Sequence, residues 1–275
     1  MNPMIRKELR QRMRERRSWI LPSLYLAALG GAVALAYYFQ TADPFELGRR
    51  ELQGAEIGVS VFFTVIFTQM AVLLLLAPVF SAGAITIEKE QRTLTGLLTS
   101  LLTPVQIWWG KFVAALLFLV LLLLCALPIL SLPFAFGGVG PQDVGRAVGV
   151  TLVVLASTTA VGLYCSSFFR RSVHATAVSY AVVLALTILT FVSFMILQTR
   201  WEAARAAAGR PYTELPRHII APLYLNPFFP LVAVLSGEDK HRFPDWAISL
   251  LMFATLGYLA AILAWRNLRR AGEQV

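Results

Sequence analysis

The chain has 275 residues, 57% of them hydrophobic and only 14% charged, and its mean hydropathy is +0.68. Those proportions exclude an ordinary water-soluble domain, in which roughly 25% of residues are charged. The formal charge of +9 would suit a nucleic-acid partner if the basic residues formed a patch. They sort instead to one side of a series of apolar segments, so no nucleic acid is expected as a partner.

In Asn2 to Arg17 the residues Ile5, Leu9 and Met13 recur every four positions among seven basic side chains. This pattern predicts a helix over 2–17 lying flat in the membrane interface, its arginines snorkelling towards headgroups. A basic tail that only sets orientation is the alternative. Trp19 marks the membrane boundary. Six runs then contain no Asp, Glu, Lys or Arg: Ile20 to Phe39, Ile57 to Ile87, Phe112 to Gln142, Ala147 to Phe169, Ser172 to Thr199 and Trp246 to Trp265. A helix rises 1.5 Å per residue and the hydrocarbon core is about 30 Å thick, so each run can cross it. The fold class is therefore an all-α polytopic membrane protein, with spans at about 20–39, 57–87, 112–136, 147–169, 174–197 and 246–265 in a single domain over 1–275. The first run lacks a cleavage site leading into a soluble domain and reads as a retained anchor.

With the amino terminus in the cytoplasm, 15 of the 24 basic residues fall on the inner side, among them Lys89, Lys111, Arg170, Arg171, Arg266, Arg269 and Arg270. The outer side receives the other 9, balanced by 10 of the 15 acidic residues. Both termini are expected in the cytoplasm, in the inner membrane of the cell.

Within the second span Gln69 is the most polar mid-membrane residue, with Thr64 and Thr68 close by. In the fourth, Thr151, Thr158, Gly162 and Cys165 share one helical stripe. Small and hydroxylated residues of this kind mostly serve helix packing. Gln69, with Thr68 and Thr158, is the candidate for lining a pathway. No ionised side chain lies at mid-depth, which disfavours ion-coupled transport.

The longest inner connection is Glu88 to Lys111, EKEQRTLTGLLTSLLTPVQIWWGK. A charge cluster, Glu88, Lys89, Glu90 and Arg92, leads into Leu94, Leu97, Leu98, Leu101 and Leu102 at helical spacing. That is a short amphipathic helix. Pro104 interrupts it, and Ile107, Trp108 and Trp109 return the chain to the interface before Gly110 and Lys111 open the third span. Without a partner, the same pattern would describe an interfacial helix that steadies the bundle.

Cys125 and Cys165 both fall within spans, giving no disulfide framework and no metal motif. His218 to Gly237 is apolar but contains Pro222, Asn226, Pro227 and Pro230. It is expected as short helices or a re-entrant hairpin within an external segment over 198–245, after a short helix at Trp201 to Ala208. His174, His218 and His241 do not converge at depth, which argues against an intramembrane enzyme.

The Glu88 to Lys111 segment resembles the first cytoplasmic loop of ABC-2 type transporter permeases, through Glu88, Glu90, Thr93, Leu94, Leu97, Leu98, Pro104, Ile107, Gly110 and Lys111. Asn2-Pro3 followed by Lys7-Glu8-Leu9-Arg10, and Asn226-Pro227-Phe228 before the last span, resemble further segments of that family. The chain departs from the pattern at Arg92, where the family usually has Gly, at Thr95 and at Ser100-Leu101. The resemblance implies a permease that pairs with a second permease subunit, identical or related, above two ATP-binding subunits that carry ATP and Mg. The coupling residues would be Glu88, Glu90, Arg92, Thr93, Leu94, Leu97, Leu98, Leu101, Pro104, Gly110 and Lys111. No G-x-x-x-x-G-K-[ST] loop occurs in this chain, so it is expected to bind no cofactor and to be no enzyme by itself. The cargo implied by walls of Phe, Leu and Thr is amphipathic or lipid-like. A non-transporting scaffold or regulatory subunit with the same fold is the alternative.

Overall fold

The computed structural model describes residues 17–41, 53–93, 96, 103–207, 216–236 and 244–272. Ile5, Leu9 and Met13 of the expected interfacial helix, and Leu94, Leu97, Leu98, Leu101 and Leu102 of the expected coupling helix, lie outside these residues. Among the described residues, six segments are long and apolar enough to cross a membrane. They are built from α1 (Arg17–Thr41), α2 (Gln53–Ser81) with α3 (Thr86–Glu90), α4 (Pro104–Cys125) with α5 (Leu127–Leu130) and α6 (Leu132–Phe136), α7 (Pro141–Phe168), α8 (Ser172–Ala207) and α11 (Asp245–Gly272). Between α8 and α11 come α9 (Arg217–Ile220), a 3₁₀ turn (Ala221–Leu225) and α10 (Phe229–Ser236). The protein is an all-α, multi-pass membrane protein.

The helix ends follow local chemistry. α4 begins at Pro104 rather than at Lys111, because Thr103 caps it. The Thr103 hydroxyl accepts from the Gln106 amide at 3.3 Å, the Gln106 side chain accepts from the Thr103 amide at 3.0 Å, and Pro104 fills the first helical position. Gly110 and Lys111 therefore lie inside the helix. α7 begins ahead of Ala147, where Pro141 opens the helix and Asp143 accepts from the Gly140 amide at 2.9 Å. The separate helix expected from Trp201 is instead the end of α8. No breaker intervenes, and Gln198 donates to Glu202 at 3.0 Å across the expected boundary. Pro128 and Pro133 cut the third span into α4, α5 and α6. The prolines after His218 act alike, and the chain bends by 119° between Arg217–Leu225 and Phe229–Leu235.

α7 is the central post: 67% of its apolar window is buried inside the bundle, against 11% for both α1 and α8. One core cluster joins Tyr25 and Leu29 of α1, Phe62 and Leu73 of α2, Leu119 and Leu122 of α4, Val150 and Leu155 of α7, and Leu231 of α10. A second lies nearer the basic end, where Ile85, Trp108, Phe112, Leu163, Ala264 and Leu268 meet. Because lipid tails are as apolar as leucine, such contacts hold through close packing rather than escape from water. Three glycines permit the closest approaches, and a β-carbon at Gly58 of α2 would stand 2.1 Å from the Gly137 carbonyl oxygen that follows α6. A β-carbon at Gly162 of α7 would stand 1.9 Å from Ser81 Oγ of α2 and 3.4 Å from Ser179 Oγ of α8, and one at Gly257 of α11 would stand 3.0 Å from Ser157 Cα of α7.

Gly162→Ala should therefore destabilise the bundle by about 1–3 kcal/mol through overpacking. Gly149→Ala, where an added β-carbon meets nothing within 4 Å, should hold or raise stability through helix propensity. Thermal denaturation of the two variants in one detergent checks the contrast; equal melting temperatures would mean that α2 and α8 do not close on α7 at Gly162.

Candidate functional site

Three consecutive charged residues in α3 reach three different helices. Glu88 Oε1 pairs with Lys111 Nζ of α4 at 2.7 Å, and the same ammonium donates to the Ala84 carbonyl at 2.7 Å. Lys111 is buried and Glu88 nearly so. Lys89 points elsewhere: its ammonium donates to the carbonyls of Ser166 at 3.0 Å, Phe169 at 2.9 Å and Ser167, the free acceptors at the end of α7. A cation there also meets the negative end of the helix dipole. Glu90 completes the set by accepting from the Ser172 amide at 2.6 Å and the Ser172 hydroxyl at 2.9 Å, at the positive start of α8.

The chain leaves α3 through a sharp turn. Arg92 has φ +56°, its amide donates to the Lys89 carbonyl at 3.2 Å, and the Thr93 amide donates to the Glu88 carbonyl at 3.0 Å. This is a Schellman ending, which favours glycine at the left-handed position. Arginine there costs about 1 kcal/mol or more, and the place where this sequence departs from the family pattern is thus a place where glycine fits better.

Of the residues expected to couple to a partner, Glu88, Glu90, Arg92, Thr93, Pro104, Gly110 and Lys111 gather at this end of the bundle. Glu88 and Lys111 turn inward to each other, while Glu90, Arg92 and Thr93 are exposed. Trp108, one turn before Lys111, is buried against Phe112 with ring centroids 5.1 Å apart, and Trp19 is exposed on α1. Sequence reading missed Lys89, Ser166 and Ser172 as members of the site. The available signal was Lys89 flanked by two glutamates beside a span.

Deeper in the bundle, Gln69 is buried, and its Oε1 has no hydrogen-bond partner among the described residues. Thr68 is half-buried. Thr158 is buried but returns its hydroxyl to the Val154 carbonyl of its own helix at 3.0 Å, which is a packing role. At the opposite end, Asn226 fixes the bend after α9. Its Oδ1 accepts from the Phe228 amide at 3.0 Å, and its Nδ2 donates to the Thr187 carbonyl and the Thr190 hydroxyl of α8, both at 3.0 Å. Phe228 stacks on Phe67 of α2 at 5.9 Å. Tyr224 donates to Asp245 at 2.9 Å, and Ser249 of α11 donates to the Tyr224 carbonyl at 2.7 Å. Among the described residues, no group of three or more His, Cys, Asp or Glu side chains comes together as a metal site.

The ion pair between Glu88 and Lys111 makes a sharp prediction. Removing one charge strands the other in a buried place, so Glu88→Gln and Lys111→Met should each destabilise by about 3–5 kcal/mol, whereas the double change should recover most of that loss. Thermal unfolding of the two single variants and the double variant measures the coupling; additive losses would show that the pair is not held as a unit.

Compared with known families, residues 3–266 match the model described as "ABC-2 family transporter protein". No curated protein matches the chain. The matched stretch takes in five of the membrane-crossing segments and most of the sixth, with the charged base of the bundle and the Asn226 bend, and the chain therefore belongs to the ABC-2 family of transporter membrane proteins.

Proposed function

We propose that the chain is the permease subunit of an ATP-driven exporter: it forms the membrane pathway with a second permease subunit, and two separate ATP-binding subunits dock beneath the basic end, which faces the cytoplasm. ATP and Mg are bound by those partners, and this chain performs no hydrolysis itself. The observation that carries the reading is the triplet Glu88, Lys89 and Glu90. One short helix, standing where the loop towards the partner begins, is bonded to the inner ends of α4, α7 and α8. A push on residues 88–111 is thereby delivered to several spans at once, as shear or hinge motion requires. The leucines at 94, 97, 98, 101 and 102 supply the docking surface, with Glu90, Arg92 and Thr93 at its edge. Each buried leucine contributes about 1.5–3 kcal/mol, against about 0–1 for an exposed ion pair.

The pathway passes Gln69, and its apolar surroundings suit an amphipathic or lipid-like cargo, since nothing there replaces an ion's hydration shell. The bent segment from Arg217 to Leu235, held by Asn226 and Tyr224, closes the outer side.

Two experiments test this reading. Replacing Leu97 and Leu98 with Asp should abolish co-purification of the ATP-binding partner while the bundle still inserts, and Arg92→Ala should do less harm; undiminished docking of the double variant would sink the coupling assignment. Gln69→Leu removes a buried oxygen that has no partner among the described residues, a group that costs about 1–3 kcal/mol, so it should raise the melting temperature. The same change should lower lipid-stimulated ATP hydrolysis by the reconstituted complex several-fold. A stabilised variant with full activity would exclude Gln69 from the pathway.

A further inference from the structure

The helical ladder is interrupted between Ser81 of α2 and Thr86 of α3. Pro78, one turn earlier, has no N–H to give to the Leu74 carbonyl, and its ring disturbs the turn before it. At this disturbed turn the Tyr180 hydroxyl of α8 donates to the Leu75 carbonyl at 2.7 Å. Below the break, the amides of Ile85 and Thr86 both donate to Ser166 Oγ of α7, at 2.8 and 3.0 Å. Had α2 continued, those amides would have bonded the carbonyls of Ser81 and Ala82. The Ser81 carbonyl instead accepts from the Ala84 amide at 3.2 Å, and the Ala82 carbonyl accepts from the Thr86 hydroxyl at 3.1 Å. Lys111 of α4 takes the Ala84 carbonyl.

Side chains of α4 and α7, together with Thr86, thus take up groups that the interrupted ladder leaves free. This arrangement differs physically from a continuous helix. Bending an intact ladder strains many bonds along its length, whereas rotation at a break exchanges a few individual contacts. Directly above it, Ser81 presses into Gly162 of α7, a bare backbone contact that provides a fulcrum. Directly below it, the α3 triplet is tied to α4, α7 and α8.

We propose that the break between α2 and α3 is an articulation, and that Ser166 is the positioning residue that sets its resting angle by holding the two freed amides. Tyr180 steadies the upper arm. The inference rests on the coupling role proposed above and deepens it: displacement of the 88–111 connection is converted into a change of angle at residues 82–85 instead of a tilt of the whole second span.

The test uses spin labels at Leu75 and Ile87, which flank the break and are exposed, in full-length chain whose Cys125 and Cys165 are alanine. In lipid nanodiscs with the co-expressed ATP-binding subunit, the distance between the labels should differ between the nucleotide-free and ATP-trapped states. A rigid tilt leaves it unchanged, which overturns the articulation. In the permease alone, Ser166→Ala should broaden the distance distribution and speed amide exchange at Ile85 and Thr86 about tenfold, the loss expected for one hydrogen bond. Tyr180→Phe, which removes only an oxygen, should broaden the distribution without that exchange. Unaltered exchange in Ser166→Ala, with unaltered distributions in both variants, overturns the role of these residues. If the ATP-binding subunit does not associate, the exporter reading falls, and the measurements on the permease alone still decide whether Ser166 sets the angle.

Discussion

A peptide group inside a bilayer has no water to turn to, so every interruption of a membrane helix must bring its own hydrogen-bond partners. This constraint explains where the polar side chains of the protein are placed. At the break after Ser81 they are Ser166, Thr86 and Lys111. At the breaks that Pro128 and Pro133 cause after α4, the Ser131 hydroxyl takes the Pro128 carbonyl at 2.7 Å. At the bend before α10, Asn226 satisfies the Phe228 amide and ties it to α8. Each irregular stretch is matched by polar side chains, drawn from other spans at the break after Ser81 and from the stretch itself at Ser131 and Asn226, so the breaks and the polar residues are two halves of one design.

The triplet in α3 follows from helix geometry in a similar way. Successive residues of an α-helix diverge by about 100°, so three adjacent charges fan out over more than half the circumference and address three neighbours. An i, i+4 stripe would have addressed one. The signs are matched to their targets: a carboxylate for the ammonium of Lys111, an ammonium for the carbonyl end of α7, and a carboxylate for the amide start of α8. A buried ion pair adds little net stability, because desolvation offsets the attraction, and its best-attested use is to fix one arrangement against others. Fixing α3 against its neighbours is the property that a coupling element requires.

The spans were legible because lipid solvation is written into long runs free of charge, but the breaks at Pro128 and Pro133 and after Ser81 went unread, since apolar residues continue through them. The bend before α10 was readable from Pro222, Pro227 and Pro230. Helix ends were harder to read. The cap at Thr103 was masked by the two tryptophans, which suggested an interface where a helix was already under way, and the length of α8 was masked by polar residues after Thr199 that are no obstacle to a helix once it has left the apolar layer. What sequence spacing could not carry were the partners of the polar residues. Lys89 meets carbonyls some 80 positions away, and Ser166 meets Ile85 over a similar separation. A serine before a helix end and a lysine between glutamates look like surface residues until the fold brings them together. Arg92 is an intermediate case: the departure from glycine was visible, but its cost became clear only from a φ of +56°.

The ties converge on α7. Its end at the charged base receives Lys89, the amides of Ile85 and Thr86, and Asn267 of α11, which donates to Ser167 Oγ at 3.2 Å. Its middle accepts Ser81 at Gly162 and Gly257 at Ser157. Further along, Val154 packs with Met70, Val183 and Phe253, and Phe228 joins that cluster beside the Asn226 bend. A continuous set of packed side chains therefore runs from the charged base to the bend at the other end, along the most buried helix of the bundle. Contiguity alone does not establish coupling between two ends, which needs an element with two arrangements that both can bias. The break between α2 and α3 has the geometry for that element, since it lies at one end of the path and is held by contacts that can be exchanged one at a time. α1, with little of its surface buried, stands aside from the path, and the side-chain bonds of α8 to it are few and local: Tyr180, Ser172 and the pair Thr187 and Thr190. The base, the break and the bend are in this way joined by one packed centre and a small number of polar contacts among the described residues.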